Sequence, residues 1–415
     1  MDNRHRLLFL EPGHFHAALT VRTPHPRVAD ELVVYAPDGP ERRDFLALVG
    51  RFAHAWRVDV VDTHAPLRQL VADRRGDVVV LAGKNAGKAR AIRSLHEAGF
   101  HVLADKPWLV RSDDVVDIRV SLGGGPLVAE IMTGRHDVAA AMLKHLVDAR
   151  DVFGDFRPEA PAIELTSVHH LAKLVNGAPL RRPAWYFDTR VQGSGLADTP
   201  THLVDRAQWL VDRRRPTAVP RLVSARAWPT VVPLAAFRAI TGEAAFPSTL
   251  GHVLDGDTLR YWCNGELEIT LADVTARLRC VWNVETPPDG GDTSVALARG
   301  TSADVRLEQS ERTGYRRQLV VMPHGDRDHC ADALREVLDG WRQAWPGVSL
   351  VADAQGGWEI AIPAGLDGGH ETHFARVLDA FLTAVDAGQL PHGVAERTLA
   401  KYEVLAAAVG ATLRE

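Results

Sequence analysis

Leu7-Leu8-Phe9-Leu10-Glu11-Pro12-Gly13-His14-Phe15-His16-Ala17-Ala18-Leu19 joins a four-residue apolar run to a turn and then to a segment able to begin a helix. An unbroken apolar run suits a strand covered on both faces, because a half-exposed strand would alternate with polar residues. The same unit recurs. Apolar runs at 32–35, 58–61, 78–81, 100–103 and 127–131 are separated by stretches such as 86–98 that are long enough to cross back as helices. Residues 1–130 therefore read as an α/β domain, a doubly wound parallel sheet. Such sheets bind ligands beyond the carboxyl ends of their strands.

Past residue 130 the rhythm changes to alternating segments at 266–272, 275–281, 302–307 and 317–321, punctuated by Gly/Pro/Asp turns such as 287–291. Stretches 330–344 and 371–385 have helical spacing, and 395–413 is Ala-rich. Residues 131–415 are expected to form an α+β domain with a large, mostly antiparallel sheet and closing helices. Two or three domains suit a chain of 415 residues, and 46% hydrophobic with 24% charged residues excludes a disordered chain. Lys+Arg 48 against Asp+Glu 53, with no basic run, excludes a nucleic-acid footprint. Cys263, Cys280 and Cys330 are too widely spaced for a disulfide framework or zinc ribbon. The apolar run at 7–10 is too short for a signal or membrane segment, so a cytoplasmic protein acting on small molecules is expected.

At the end of the first strand, Gly13 holds the middle place of a G-x-G-x-x-G turn, with Glu11 and His16 in the outer places. Pro12, Gly13, His14 and Phe15 are the candidates to hold a pyrophosphate, His14 and Phe15 through N–H groups or by covering the dinucleotide. Asp38, near the end of the second strand, suits a ribose diol, whereas Arg42 and Arg43 suit a 2′-phosphate. NAD is slightly preferred to NADP.

His101-Val102-Leu103-Ala104-Asp105-Lys106-Pro107 resembles the "hV-x-x-E-K-P" signature of the glucose–fructose oxidoreductase/inositol dehydrogenase/rhizopine-catabolism (Gfo/Idh/MocA) family, with Asp105 in place of the usual Glu. Ala98-Gly99 matches that family's lead-in, and Asn85, after Leu81-Ala82-Gly83-Lys84, fits the asparagine of its "T-P-N" loop. Lys88 stands where the family has a histidine. Gly193 to Asp205 resembles the element that supplies the family's aspartate and histidine, here Asp198 and His202. Phe381-Leu382 through Gly388 and Pro391 resembles its closing motif. The octapeptide from Pro12, the His169-His170 pair with Lys173, and Arg182-Pro183-Ala184-Trp185 are similar to a subgroup with its own oxidoreductase C-terminal domain.

The resemblance implies an N-terminal Rossmann-type domain and an NAD(P)-dependent dehydrogenase or reductase acting on a CH–OH group of a sugar, glycoside or cyclitol. It makes Lys106, Asp198 and His202 the catalytic candidates. Ala82, Asn85, Asp105 and Lys106 join the turn and Asp38 as cofactor contacts, and His169, His170, Lys173 and Trp185 become substrate contacts. Thr199-Pro200 reads as a helix N-cap with proline at the first position, which places Asp198 and His202 at a helix start. His202 lies roughly 140° from the apolar stripe of that helix. No metal centre is expected. Adjacent strand residues such as His169 and His170 face opposite ways, and His370 and His373 lack the i, i+4 spacing of a zinc helix. A homodimer or homotetramer is expected, with no nucleic-acid or membrane partner. The alternatives are a redox-neutral, NAD-dependent glycoside-cleaving enzyme and a non-enzymatic dinucleotide-binding sensor.

Overall fold

The computed structural model describes residues 4–159, 161–175, 178–288, 290–366 and 369–412. Asp289, in the turn read at 287–291, and Leu413, at the end of the last helix read, lie outside them. Six strands, β1 (Leu7–Leu10), β2 (Glu31–Ala36), β3 (Arg57–Asp62), β4 (Val78–Leu81), β5 (His101–Asp105) and β6 (Val128–Ile131), form one parallel sheet in the order β3-β2-β1-β4-β5-β6. Helices α1 (Phe15–Leu19), α2 (Pro40–Val49), α3 (Pro66–Asp73), α4 (Lys88–Glu97) and α5 (Val115–Ser121) connect them. β1 and β4 are buried along their whole length, which is why both read as unbroken apolar runs. The edge strand β3 is only partly buried, and Arg57, Asp59 and Asp62 along it discourage pairing with another chain. The strand order reverses between β1 and β4, and a crevice for a ligand opens at such a point.

The chain forms two compact units, Met1–His136 with Gly368–Ala406, and Asp137–Asp367 with Ala407–Glu415. This differs from a division after residue 130, because a late segment returns to the first unit. Phe374, Val377, Leu378, Phe381 and Leu382 on helix His373–Ala387 share one core with Leu7, Phe9, Val34, Val80 and Leu103. Ion pairs from Arg27 to Asp379 and Asp386, at 2.8 and 2.7 Å, fasten the outer side of that helix. On helix Val394–Thr412, Lys401 and Tyr402 both meet the Glu130 carboxylate of β6, and the Tyr402 ring stacks on Trp108 at 5.3 Å.

In the second unit β7 (Ile163–Ala172) lies inside a large mixed sheet, parallel to Val274–Glu285 and antiparallel to Thr293–Arg299. Antiparallel strands continue outward on both sides, to Pro220–Pro233 beyond Thr258–Leu271 and to Ser349–Ala352 beyond Trp358–Ala361. Helix Pro200–Val211 packs against this sheet. Among the described residues no helix is long and apolar enough to cross a membrane.

The Lys401 and Glu130 side chains are only 2% and 4% exposed. Lys401→Met leaves a buried carboxylate without its cation and is expected to cost about 3–5 kcal/mol in guanidinium unfolding. Adding Glu130→Gln should recover much of that loss.

Candidate functional site

The loop after β1 is held by one carbonyl. Gly13 and His14 both donate their N–H groups to Ala82 O at 3.0 Å, tying this loop to the one after β4. The approach is close: a Cβ on Gly83 would stand 2.3 Å from Glu11 O. Glu11 adopts φ +43°, a region glycine occupies without cost, so the outer glycine place is filled here by a residue under backbone strain. The N–H groups of both Gly13 and His14 are thus engaged within the protein, so what Gly13 offers a pyrophosphate is close approach rather than a free donor. Phe15 is half exposed and opens α1, whose first N–H groups have no acceptor within the helix.

The loops after β4 and β5 are joined by Lys88. Its buried ammonium donates to Asn85 Oδ1 at 2.6 Å and to Asp105 O at 2.9 Å. The Asp105 carboxylate lies 3.0 and 3.1 Å from His16 Nδ1 and 3.3 Å from His14 Nδ1. Burial pushes the His16 imidazole down to about 4, against the pull of the Asp105 charge. Burial also opposes ionisation of Asp105, but His16 and His14 outweigh it and hold the carboxyl well below its usual range. At neutral pH this is a carboxylate beside an uncharged His16 ring, so the hydrogen bond rather than a full positive charge is what His16 then contributes. Lys106 is half-buried and joined to Pro107 by a cis peptide bond. Gly13, His14, Ala82, Asn85 and Asp105 thus meet at the carboxyl edge of one sheet.

Asp38 is exposed and paired with Arg42 and Arg43 at 2.7 and 3.0 Å. Diol-binding and phosphate-binding groups therefore neutralise one another beyond β2.

In the second unit, Asp292 gathers three of the candidates. His169 Nδ1 lies 3.3 Å, His170 Nδ1 3.1 Å and Lys173 Nζ 2.6 Å from its carboxylate. His169 and His170 thus reach the same carboxylate, contrary to the expectation that adjacent strand residues diverge. The register explains the meeting. Thr293 pairs with Val168, which sets Asp292 across from His169 at the strand start. Burial opposes the Asp292 charge, yet the His169 and Lys173 hydrogen bonds hold the carboxyl far below its usual range. His170 is buried, whereas His169 is partly open and packs at 4.7 Å on Trp282, its neighbour in the parallel register. The Arg182 guanidinium lies 4.6 Å over Tyr186 and 5.3 Å over Trp282. Trp185 is half-buried on the short turn Ala184–Phe187.

Pro200 does open its helix, but Thr199 has helical φ and ψ and makes no side-chain cap bond, so it is not the capping residue expected. Asp198 is buried and accepts from Gln192 Nε2 at 3.1 Å, and His202 is half-buried, not surface-exposed. The preceding loop is fitted by two glycines. A Cβ on Gly195 would stand 2.2 Å from the Asn264 carbonyl carbon, and one on Gly265 2.2 Å from Gly195 O. Burial pushes the Cys263 thiol up to about 12, with the Asp198 charge adding to the shift, so Cys263 is no nucleophile.

Residues 142–412 match the family described as "Putative oxidoreductase C terminal domain". The chain belongs to the Gfo/Idh/MocA family of oxidoreductases. A "putative oxidoreductase" from Parabacteroides merdae is 32% identical, with a TM-score of 0.92 over 100% of this chain and 98% of that one. Levoglucosan dehydrogenase, solved with NADH and levoglucosan, is 14% identical over 99% and 98% of the two chains, TM-score 0.62. KijD10, a 3-ketoreductase from Actinomadura kijaniata solved with NADP, is 14% identical over 98% and 97%, TM-score 0.58. At that identity the last two share the fold alone. No curated protein matches.

The residues of this oxidoreductase fit a dinucleotide at the β1 turn. Above Gly13 a Cβ would meet only the flexible Glu41 side chain within 3.4 Å, so the turn keeps the open backbone that a pyrophosphate needs. A surface cleft of about 630 Å³ lies instead beside Pro126, Leu127 and Val128, at the amino end of β6, away from this edge.

Asp292 was missed in the sequence, where a lone Asp after two glycines reads as a turn, and Lys88 was noted only as a departure from the family pattern. Asp292→Ala strands three donors and is expected to cost about 1–3 kcal/mol in urea unfolding. Asp257→Ala, on an exposed turn, should leave the midpoint in place.

Proposed function

We propose that this oxidoreductase interconverts a secondary alcohol and a ketone on a sugar, glycoside or cyclitol, using NAD in preference to NADP. The observation that carries this reading is the second unit's array of converging polar groups, His169, Lys173 and Arg182, set beside the aromatic faces of Tyr186 and Trp282. Several hydroxyls can be read by such donors at once, and a site built to bond them discriminates strongly between hydroxyl patterns. Levoglucosan dehydrogenase, with the same fold and a sugar-derived ligand, supports the assignment.

When bound, the dinucleotide accepts or donates the hydride. Phe15 and the Gly13 turn hold its pyrophosphate, with Asn85 and the backbone of Asp105 lining the nicotinamide side. Lys106 anchors the ribose and polarises the substrate oxygen. His202 takes the hydroxyl proton during oxidation and returns it during reduction, and Asp198 orients it. His169, Lys173 and Trp185 position substrate, whereas the buried His170 steadies Asp292. Arg42 and Arg43 already satisfy Asp38, so its preference for a ribose diol is offset in part. A second copy of the chain docks on apolar side chains such as Val223, Val231 and Trp262, which are exposed on the outer strands. Three buried free thiols suit a reducing cytoplasm.

His202→Ala should lower turnover by a factor of roughly 10² to 10⁴ with NAD affinity nearly intact, because proton transfer belongs to the chemical step. Turnover is followed as reduced nicotinamide absorbance across sugars and cyclitols, and affinity by calorimetry. Wild-type turnover in this variant would remove His202 from the mechanism. Cleavage of a glycoside without net NADH would favour the redox-neutral alternative. Lys88→Met should weaken NAD binding, since the Asn85 and Asp105 loops lose their shared tie. Light scattering that returns a monomer at micromolar concentration would exclude the homodimer or homotetramer.

A further inference from the structure

We propose that His14, His16 and Asp105 form a binding site for a first-row divalent transition-metal cation. Its three side chains carry no step of the hydride chemistry above. Two imidazole nitrogens and one carboxylate are a donor set that Zn²⁺, Co²⁺, Ni²⁺ and Fe²⁺ all accept, and three protein ligands leave positions open for oxygen.

Two of the three donor pairs already stand at ligand spacing. The three donor atoms lie within 4.8 Å of one another, and both Nδ1 atoms converge on Asp105 Oδ2, His16 from 3.0 Å and His14 from 3.3 Å. Around a cation with bonds of about 2.0–2.2 Å, neighbouring donors stand roughly 2.9–3.4 Å apart.

Hydrogen bonding serves the two rings unequally. His16 Nδ1 meets both carboxylate oxygens at 3.0 and 3.1 Å. His14 Nδ1 is buried and near the same oxygen, yet among the described residues it has no aligned hydrogen-bond partner. A buried nitrogen 3.3 Å from a carboxylate oxygen but poorly aligned for a hydrogen bond is one that a shared cation would satisfy better. Ligation through Nδ1 puts each ring proton on Nε2, and Asp105 binds as the carboxylate.

The cluster is also held in place. Asp105 is fixed through its carbonyl by Lys88, the His16 ring packs at 4.7 Å on Phe374, and the two imidazoles stand edge to face at 4.1 Å. The His14 side chain is 33% exposed against 5% for Asp105, so the open positions and the entry path lie on the His14 side. His16 at an outer glycine place of the dinucleotide turn and Asp105 at the family's glutamate place both fall on this one cluster. Asp105 ends β5 and His16 lies in the first turn of α1, beside the crevice, where the cation's open positions would take a hydroxyl or phosphate oxygen of a bound molecule.

The test uses tag-free full-length protein stripped with a chelator and titrated with CoCl₂. The expected result is one equivalent bound per chain, with visible d–d absorption that ZnCl₂ abolishes. Asp105→Asn and His16→Ala should weaken binding by more than roughly 100-fold, beyond the 10–100-fold typical of losing a supporting residue. His14→Gln, at a partly exposed position, should weaken it at least about tenfold with the thermal unfolding midpoint little changed, so the test stands even if a buried variant fails to fold. Failure of the stripped wild type to bind Co²⁺, or equal binding by wild type and His14→Gln, would overturn the site. A parallel NAD titration of the stripped protein reads the hydride assignment separately, so either idea can fail alone.

Discussion

The carbonyl oxygen of Ala82 accepts the N–H groups of Gly13 and His14, and the carboxyl edge of the parallel sheet is arranged around that pair of hydrogen bonds. It draws the β1 and β4 loops so close that neither a Cβ at residue 83 nor an ordinary backbone angle at Glu11 can be accommodated. With the loop fixed, α1 begins where it must, and His14 and His16 are delivered towards the end of β5. Lys88 makes the matching tie on the other side, from Asn85 to the backbone of Asp105. A buried ammonium is costly unless bonded, so its placement ties the two loops it bonds.

The second unit handles polar burial differently. One carboxylate, Asp292, serves three donors from β7 and the loop after it, and the negative charge is stabilised by those bonds despite partial burial. The aromatic rings of Trp282 and Tyr186, with the Arg182 guanidinium over both, give the array one aromatic flank. Buried Tyr186, Tyr261 and Cys263 all feel the Asp198 charge, and burial keeps each of them protonated. Asp198 thus accepts from Gln192 Nε2 in surroundings where these three groups stay uncharged.

Much of the fold was legible because burial on both faces leaves a plain mark. All six strands of the first sheet were readable as apolar runs, two late helices from their spacing and the last from its alanine-rich composition. Strand Pro220–Pro233 was not. It is an edge strand interrupted by two register shifts, at Val223 and at Pro229, so it carries neither a continuous run nor a clean alternation. Helix His373–Ala387 was readable as amphipathic, but an apolar stripe does not name the surface it covers, and this one returns to a core begun at Leu7.

By itself the sequence determined the doubly wound domain, the turn around Gly13, the Lys106-Pro107 block and the Asp198/His202 helix start, since each depends on residues close together along the chain. Only the tertiary structure decided the clusters. His16 and Asp105 are 89 positions apart, and His170 and Asp292 are 122 apart. They meet because strand order and register put them side by side. Register is set by the packing of whole sheets, to which no short stretch of residues has access.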